Sequence, residues 1–550
     1  MKKFSLPVIS LLLCLSVTLT TGQSLQVDML LSEMTLQQKV GQMFMVSFFG
    51  RPMNESARNL ITEWQPGAVV LLKSNLGTPE QITSLTNDIQ QTSLSSGGQP
   101  LFIAIDQEGG LITRLTAELG FTLFPVPALW TATGDADLVY RVGQALATEM
   151  TAVGINMNLA PVADLDTNIA NPIIGRRSFG TYPEQVAPTM SAIVRGMQEN
   201  GVLATLKHFP GHGDTSTDSH VELPVLDYDV DFLSRRELTP FMAGFDADVG
   251  ATMLAHIWYP QLEPETNLPA SLSYNIVTGL LRDELRYDGL IMPDAMDMDA
   301  IDTVYSAEES ALMAVRAGHD VILMGANVGP DKHARAMQAV LDAVLSGDID
   351  ESRIDASVYR ILLAKERYGV LNWQPLTVEG ASGRIPLDEH AALIDELFRA
   401  GIAIVHDDNN LVPVTGNTAV IFPATQPSLW RACNLRDDLQ PLGVSGFPSG
   451  QDIAAASATA QRAERVIVFT QNAIESIGQQ DLVAALPPEK TIVVALQSPY
   501  DYTVLPDVAA YIVTYSPMSA AYTPICEILM GIAPAQGQMV VASDIIAGEE

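Results

Sequence analysis

Eight short apolar runs recur between residues 40 and 325, and a stretch with helical periodicity separates each run from the next. The runs are Val40–Phe49, Gly67–Leu72, Leu101–Asp106, Ile155–Asp164, Val202–Phe209, Ala251–Tyr259, Gly289–Asp294 and Asp320–Met324. The clearest intervening helices are predicted at Pro79–Leu94, Asp135–Val153, Pro183–Asn200, Asp231–Ala247 and Ala307–Ala317. Continuous apolar runs that alternate with helices are typical of parallel strands buried on both faces. Eight such units favour a (β/α)₈ barrel over residues 23–370, and a doubly wound open sheet is the alternative.

The alternation stops near Tyr368, and a second unit follows. Residues 371–386 contain two prolines and two glycines and are predicted to be a linker. A predicted helix at Leu387–Ala400 and five further apolar runs then indicate a smaller α/β/α sandwich over residues 387–550. These runs are Ile402–Val405, Ala419–Phe422, Val466–Phe469, Thr491–Leu496 and Ala510–Thr514.

The first 22 residues are predicted to be an export signal. Two lysines precede the apolar run Val8–Leu19, and three small residues follow it. The run is shorter than the roughly 20 residues that span a bilayer, and Cys14 lacks the small residues that normally precede a lipid-modified cysteine. After removal of this segment only Cys433 and Cys526 remain, so one disulfide is possible. No later segment has transmembrane character, and we expect a soluble protein outside the cytoplasm.

The excess of acidic residues limits the kinds of molecule that the protein can bind. The 550 residues include 64 acidic and 30 basic side chains, for a formal net charge of −34. Such a chain repels phosphate at long range, which argues against a nucleic-acid partner.

Reactive side chains collect where the predicted barrel strands end. Barrel active sites lie at the carboxyl ends of the strands. A polar residue there can also simply cap the next helix, but charged or titratable residues at five of the eight ends favour a shared active site. These residues are Asp106, Asp164, Lys207 with His208, His256, and Asp294.

The stretch Lys207–His220, KHFPGHGDTSTDSH, is the densest in such residues. Three histidines and two aspartates first suggest metal ligands. However, a proline and two glycines around the second histidine exclude a helix that presents two histidines at one-turn spacing. The glycines favour a loop that carries a catalytic group over the barrel mouth. The metal-dependent alternative would use His208, His212, Asp214 and His220.

Two pairings in this region suggest acid–base chemistry. Asp218 lies two residues before His220, so its carboxylate can orient the imidazole and favour the protonated ring as a proton donor. Asp294 directly follows an apolar run and is predicted to point into the barrel mouth, whereas Asp297 and Asp299 fall in the following loop or helical turn. An attacking carboxylate opposite a proton donor is what glycoside hydrolysis with retention requires.

The motif KHFPGHG, followed after four residues by D-x-H and later by PDAMDM, resembles glycoside hydrolase family 3, in particular its β-N-acetylglucosaminidase branch. GIAIVHDDNNLVPV at 401–414 is similar to the start of the family's second domain. The resemblance implies that Asp294 is the nucleophile, His220 the acid/base and Asp218 the partner of that histidine. The sugar-binding residues that it implies are Asp106, Arg114, Arg177, Lys207 and His208.

The resemblance implies an exo-acting, retaining β-N-acetylhexosaminidase whose substrate carries terminal N-acetylglucosamine and which needs no metal or organic cofactor. The alternatives are a phosphorylase or β-glucosidase of the same family, or a carbohydrate-binding barrel that has lost catalysis. The sequence leaves open the natural glycan, whether a peptidoglycan fragment, a chitin oligosaccharide or another glycoconjugate. It also leaves open the oligomeric state and the role of the second domain.

Overall fold

The computed structural model describes residues 24–219, 221–325 and 328–541. The predicted export signal, residues 1–22, and His220 lie outside these ranges. Ten strands form in the described part of the first 325 residues: β1 (Phe44–Val46), β2 (Ala68–Val70), β3 (Phe102–Ile105), β4 (Gln107–Gly109), β5 (Ile112–Thr113), β6 (Met157–Asn158), β7 (Leu203–Phe209), β8 (Ala251–Leu254), β9 (Leu290–Pro293) and β10 (Ile322–Leu323).

Eight of these strands form one parallel sheet in the order β10-β1-β2-β3-β6-β7-β8-β9, while β4 and β5 form a separate antiparallel hairpin. The two ends of the large sheet are joined because the amides of Asp320 and Val321 donate to the carbonyl of Ile291, at 2.8 and 3.2 Å. The sheet therefore curls into a nearly closed barrel, as predicted. Each predicted apolar run contains one barrel strand, and nearly all of the strand residues are fully buried.

Helices surround the barrel. They are α1 (Leu25–Glu33), α2 (Leu36–Gln42), α3 (Glu55–Trp64), α4 (Pro79–Ser95), α5 (Pro127–Ala132), α6 (Ala136–Ala152), α7 (Pro183–Gln198), α8 (Val230–Arg235), α9 (Leu238–Asp246), α10 (Asp299–Asp302), α11 (Ala307–Ala317), α12 (Pro330–Ser346) and α13 (Glu351–Arg367), with a π-helix at Asn275–Glu284. The start of α4 shows the local cause: Thr78 accepts from the amide of Gln81, whose side chain accepts in return, and Pro79 occupies the first turn. The single helix predicted over Asp231–Ala247 is instead two helices, α8 and α9.

In the part of the chain that the structure describes, the second sheet has six strands and five flanking helices. The elements are α14 (Leu387–Gly401), β11 (Ala403–Asp407), β12 (Thr418–Pro423), α15 (Pro427–Cys433), β13 (Leu439–Val444), α16 (Gly450–Arg462), β14 (Arg465–Thr470), α17 (Ile477–Ala484), β15 (Thr491–Ala495), β16 (Ala510–Val513) and α18 (Tyr522–Leu529). The order is β11-β16-β15-β14-β12-β13, and only β11 runs antiparallel to its neighbour. The edge strand β13 was not predicted, because only its first and last residues are buried and Pro441 interrupts it.

Cys433 of α15 and Cys526 of α18 form a disulfide; they are the two cysteines that remain once the predicted export signal, which contains Cys14, is removed. No helix in the described ranges combines the length and the apolar character needed to span a bilayer.

The two halves of the chain are in contact near the carboxyl ends of both sheets. The Tyr500 hydroxyl donates to Asp166 Oδ2 at 2.7 Å, and the amide of Thr181 donates to the carbonyl of Val540 at 2.8 Å. Asp166 follows β6 and is almost fully buried. Its second oxygen has no hydrogen-bond partner among the described residues. Burial raises the pKa of this carboxyl to about 6, although the bond from Tyr500 opposes the effect.

We expect Asp166→Asn to stabilise the protein at alkaline pH. The pKa of Asp166 rises from 3.8 in the unfolded chain to about 6 in the folded one. The free energy of unfolding of the wild type therefore falls as the pH rises through this window. The shift corresponds to an advantage of at most about 3 kcal/mol for the variant above pH 7. Unfolding by denaturant at pH 4 and pH 8 measures this, and an equal pH dependence in both proteins would contradict it.

Candidate active site

The carboxyl ends of the barrel strands surround a cavity of about 460 Å³. Six of the eight residues predicted for the site line it: Asp106, Arg114, Arg177, Lys207, His208 and Asp294. Asp218 lies half-buried on the loop after β7, next to Ser219, which also lines the cavity. His220, the predicted proton donor, lies outside the described residues, so its pairing with Asp218 stays a prediction.

Asp294 directly follows β9, and its side chain is 18% exposed. Its amide donates to the carbonyl of Leu254 at 2.9 Å, and its Oδ1 accepts from the amide of Ala295 at 2.7 Å. Burial alone would raise the pKa of this carboxyl. The nearby imidazoles of His208 and His256 and the Ala295 amide outweigh burial and lower the pKa to about 2. Asp294 is therefore a carboxylate at neutral pH, with one edge open to the cavity.

His208 belongs to β7, and its ring extends past β8 towards Asp294 at the end of β9. Its Nε2 lies 3.8 Å from Asp294 Oδ2, while its Nδ1 lies 2.7 Å from Oδ2 of the fully buried Asp164. Asp164 also accepts from the backbone amides of His208 and His212, at 3.1 and 2.7 Å. A carboxylate that holds one ring nitrogen fixes the orientation of the imidazole and of its other nitrogen. The sequence places Asp164 at a strand end but does not reveal that it orients His208.

A buried carboxylate organises the cations of the site. Glu108, with 1% of its side chain exposed, accepts two bonds of 2.8 Å from the Arg177 guanidinium and lies 2.7 Å from Lys207 Nζ. Lys207 Nζ also lies 3.1 Å from Asp106 Oδ1. Burial would raise the pKa of Glu108, but the two cations lower it to about 2. Glu108 was not among the predicted site residues, although its place in the DQEGG segment at a strand end was a signal.

We expect Glu108→Gln to lower the free energy of unfolding by about 3–5 kcal/mol, since loss of one partner leaves buried charges uncompensated. The amide keeps the volume of the side chain but removes the charge that Arg177 and Lys207 share. Urea denaturation measures the effect, with Glu118→Gln as a control at an exposed carboxylate nearby. Equal stability of both variants would show that the two cations do not depend on Glu108.

The β4–β5 hairpin brings Arg114 to the cavity. The side-chain oxygen of Gln107 accepts from the amides of Arg114 and Leu115, both at 2.9 Å. Gly109 and Gly110 turn the chain with φ of 89° and 60°, a region that favours glycine. A Cβ at Gly109 would also lie 2.8 Å from the Trp130 ring. The DQEGG segment therefore forms a tight turn against the barrel core.

The glycines of the loop after β7 permit close packing. A Cβ on Gly213 would lie 1.6 Å from the carbonyl oxygen of Leu165. The Asn171 side chain donates to the carbonyls of His212 and Gly213, at 2.9 and 2.8 Å. The first part of this loop is therefore held firmly against the loop that follows β6.

The candidate metal ligands have other partners. The ring nitrogens of His212 lie 3.0 Å from Thr215 Oγ1 and 2.9 Å from Ser219 Oγ. Asp214 accepts from Tyr228 and Arg236, both at 2.5 Å. Among the described residues, no group of three or more histidine, cysteine, aspartate or glutamate side chains is arranged to hold a metal ion.

Two further carboxylates, Asp297 and Asp299, line the same cavity. Asp299 begins α10, and Asp297 lies beside Gly325, where a Cβ would collide with its carboxylate. His256 contacts the start of this segment, with Nε2 3.0 Å from the carbonyl oxygen of Ala295. The cavity therefore has several acidic groups at its rim, but Asp294 is the one at the strand end and near His208.

A parallel eight-stranded barrel with an ionised aspartate facing the cavity at its carboxyl end is a site at which glycoside hydrolysis with retention can take place. The chain belongs to glycosyl hydrolase family 3: the family's N-terminal domain matches residues 35–364. The resemblance inferred from the sequence is thereby confirmed.

The related proteins described here cover between 60% and 93% of this chain. "Beta-hexosaminidase A" of Pseudoalteromonas piscicida is 29% identical over 543 residues, which cover 88% of this chain and 90% of that protein. A "Beta-hexosaminidase" of Alkalilimnicola ehrlichii is 32% identical over 338 residues, 60% of this chain and 91% of the relative. The structure of a glycoside hydrolase family 3 beta-N-acetylglucosaminidase from Paenibacillus sp. str. FPU-7 superposes with a TM-score of 0.81 and 35% identity. The match covers 93% of this chain and 100% of that one.

Proposed function

We propose that this chain hydrolyses terminal, β-linked N-acetylglucosamine from saccharides, with retention at the anomeric carbon. The observation that carries the proposal is Asp294, a largely buried carboxylate with a pKa of about 2 that faces a cavity at the mouth of the barrel. Its low pKa keeps it anionic, as a nucleophile must be. The N-acetyl sugar is supported by the hexosaminidase and N-acetylglucosaminidase relatives.

The reaction has two steps in this proposal. In the first, an Asp294 oxygen attacks the anomeric carbon, the glycosidic C–O bond breaks, and His220 gives its proton to the leaving oxygen. In the second, His220 takes a proton from water, the water oxygen attacks the anomeric carbon, and the bond to Asp294 breaks. Asp218 is the positioning residue for His220. Its carboxylate orients the imidazole and, as a neighbouring negative charge, favours the protonated ring.

The other lining residues hold the sugar. Lys207, Arg177 and Arg114 supply donors for hydroxyl oxygens, and Asp106 supplies an acceptor. The pairing with Glu108 fixes two of these cations before the substrate arrives, so little ordering remains on binding. The packed barrel core closes the cavity from below, so a saccharide reaches Asp294 only through the mouth of the barrel. Removal of terminal sugars alone is what the family resemblance implies.

Matched p-nitrophenyl β-glycosides test the proposal. They should differ only at the 2-position, N-acetylglucosaminide against glucoside, and be assayed with and without inorganic phosphate. We expect faster hydrolysis of the N-acetyl sugar and no glycosyl phosphate product. A preference for the glucoside would indicate a β-glucosidase, and glycosyl phosphate would indicate a phosphorylase. No turnover of either sugar, with binding retained, would indicate a non-catalytic barrel.

We also propose that the protein is exported after removal of residues 1–22. The two lysines and the apolar run in that segment support this. The disulfide between Cys433 and Cys526 supports it independently, because structural disulfides persist mainly in oxidising compartments. The mass of the purified native protein tests the proposal, and an intact amino terminus would contradict it.

A further inference from the structure

A second cavity, of about 290 Å³, lies at the carboxyl ends of the strands of the second sheet. It is formed by the ends of β12, β13 and β14 and by the loops that follow them. The chain passes from β12 to β13 on one side and from β14 to β15 on the other, so the direction of the connections reverses between β12 and β14. In open α/β sheets, ligands bind in the crevice at this reversal point. The site described in the barrel does not include this cavity.

The lining of the second cavity is rich in neutral hydrogen-bonding groups. Carboxamide and hydroxyl side chains are contributed by Thr425, Ser445, Gln471, Asn472, Ser476, Gln479 and Gln497. A carboxamide can both donate and accept, which matches the hydroxyl groups of a sugar. Gln471 is fixed in place, because its Oε1 accepts from Gln426 at 2.8 Å and its Nε2 donates to Gln497 at 3.1 Å.

The exposed aromatic ring of Phe447 lines the same cavity. Phe447 is 83% exposed, although large apolar side chains are usually buried. The apolar C–H face of a pyranose ring can pack on such a ring while its hydroxyl groups meet the carboxamides. Among the described residues that line the cavity, Glu475 alone is ionisable, and together with the net charge of −34 it disfavours an anionic ligand.

The second cavity lies beside the barrel. Gln497, which lines it, also lines a small gap between the two halves of the chain together with Arg176, the residue before Arg177. Arg176 also interacts with Glu475, which lines the second cavity. Burial lowers the pKa of Arg176, and the carboxylate of Glu475 opposes this lowering. A saccharide in the second cavity would therefore lie next to the loop that supplies Arg177 to the barrel site.

We propose that this cavity is a second saccharide-binding site, which holds a neutral oligosaccharide through the carboxamides and the face of Phe447. It concentrates or orients glycan chains near the barrel mouth. The kind of sugar, but not the existence of the site, rests on the proposed function.

The test is a calorimetric titration of the Asp294→Asn variant with N-acetylchitotetraose and, in parallel, with cellotetraose. We expect two binding events with at least one of these sugars. Phe447→Ala and Gln471→Ala should each weaken the second event about tenfold or more and leave the first unchanged. Ile477→Ala is the matched control, since Ile477 is also a highly exposed apolar residue of this domain but does not line the cavity.

A single binding event with both sugars, or a second event that survives both substitutions, would overturn the second site. Because Phe447 is exposed, its replacement leaves the core intact, and loss of the second event in that variant reports on binding. Failure of the proposed function would look different. In that case the wild-type chain would fail to hydrolyse the p-nitrophenyl N-acetylglucosaminide in preference to the glucoside, whatever the number of binding events.

Discussion

Replacing Asp294 by asparagine is expected to lower kcat on p-nitrophenyl N-acetylglucosaminide by on the order of 10⁴-fold or more, because the covalent route disappears. The amide has nearly the same shape but is a poor nucleophile and carries no charge to stabilise the developing positive charge at the anomeric carbon. The fold should persist, since Asp294 Oδ1 accepts one backbone bond that an amide oxygen can also accept. Steady-state kinetics on the purified variant measures the effect.

Asp297→Asn and Asp299→Asn are the matched controls, because both carboxylates line the same cavity. Each should retain far more activity than Asp294→Asn. Azide adds a second criterion: with Asp294→Gly it should attack the substrate directly and give the α-glycosyl azide in a single inverting step. Near-normal activity of Asp294→Asn, with large loss in one of the controls, would assign the nucleophile to another aspartate.

Replacing His220 by alanine is expected to slow cleavage of N,N′-diacetylchitobiose by about 10²–10⁴-fold, the usual range for general-acid assistance. A sugar leaving group needs a proton as the bond breaks, whereas p-nitrophenolate leaves readily without one. On the aryl glycoside the first step should therefore proceed, and slow attack by water should follow. The expected result is a burst of p-nitrophenol, slow turnover after it, and faster turnover with azide.

Ser216→Ala is the control for the His220 variant, since Ser216 is an exposed residue of the same loop. It should leave both substrates nearly unaffected. Equal loss on both substrates in His220→Ala, without a burst and without an azide effect, would show that His220 only positions the sugar. The proton donor would then have to be sought among the carboxyl groups at the cavity rim.

Much of the fold follows from local sequence pattern. Parallel strands buried on both faces need continuous apolar runs, so all eight barrel strands lie within predicted runs. The β4–β5 hairpin was not predicted, because its strands have three and two residues and include Gln107 and Glu108. The break between α8 and α9 also escaped prediction. Arg236 there pairs with Asp214 and Glu237, a tertiary arrangement that helical periodicity does not reveal.

The site residues that could be predicted from the sequence are those that lie at the ends of barrel strands. Asp106, Lys207, His208 and Asp294 stand at the ends of apolar runs, and the barrel brings them to one cavity. The network around Glu108 was not predictable, because Arg177 lies 69 residues further along the chain and only the folded barrel brings the two together. For the same reason the role of Asp164, which acts through the ring of His208, appears only in three dimensions.

Trapping of the covalent intermediate tests the central claim most directly. A 5-fluoro-N-acetylglucosaminyl fluoride forms the glycosyl-enzyme but slows its hydrolysis, so the labelled protein can be digested and analysed by mass spectrometry. Our account predicts one sugar per chain, attached to Asp294 in the segment after β9. Attachment to Asp297, Asp299 or another residue, or turnover of the reagent without any adduct, would contradict it.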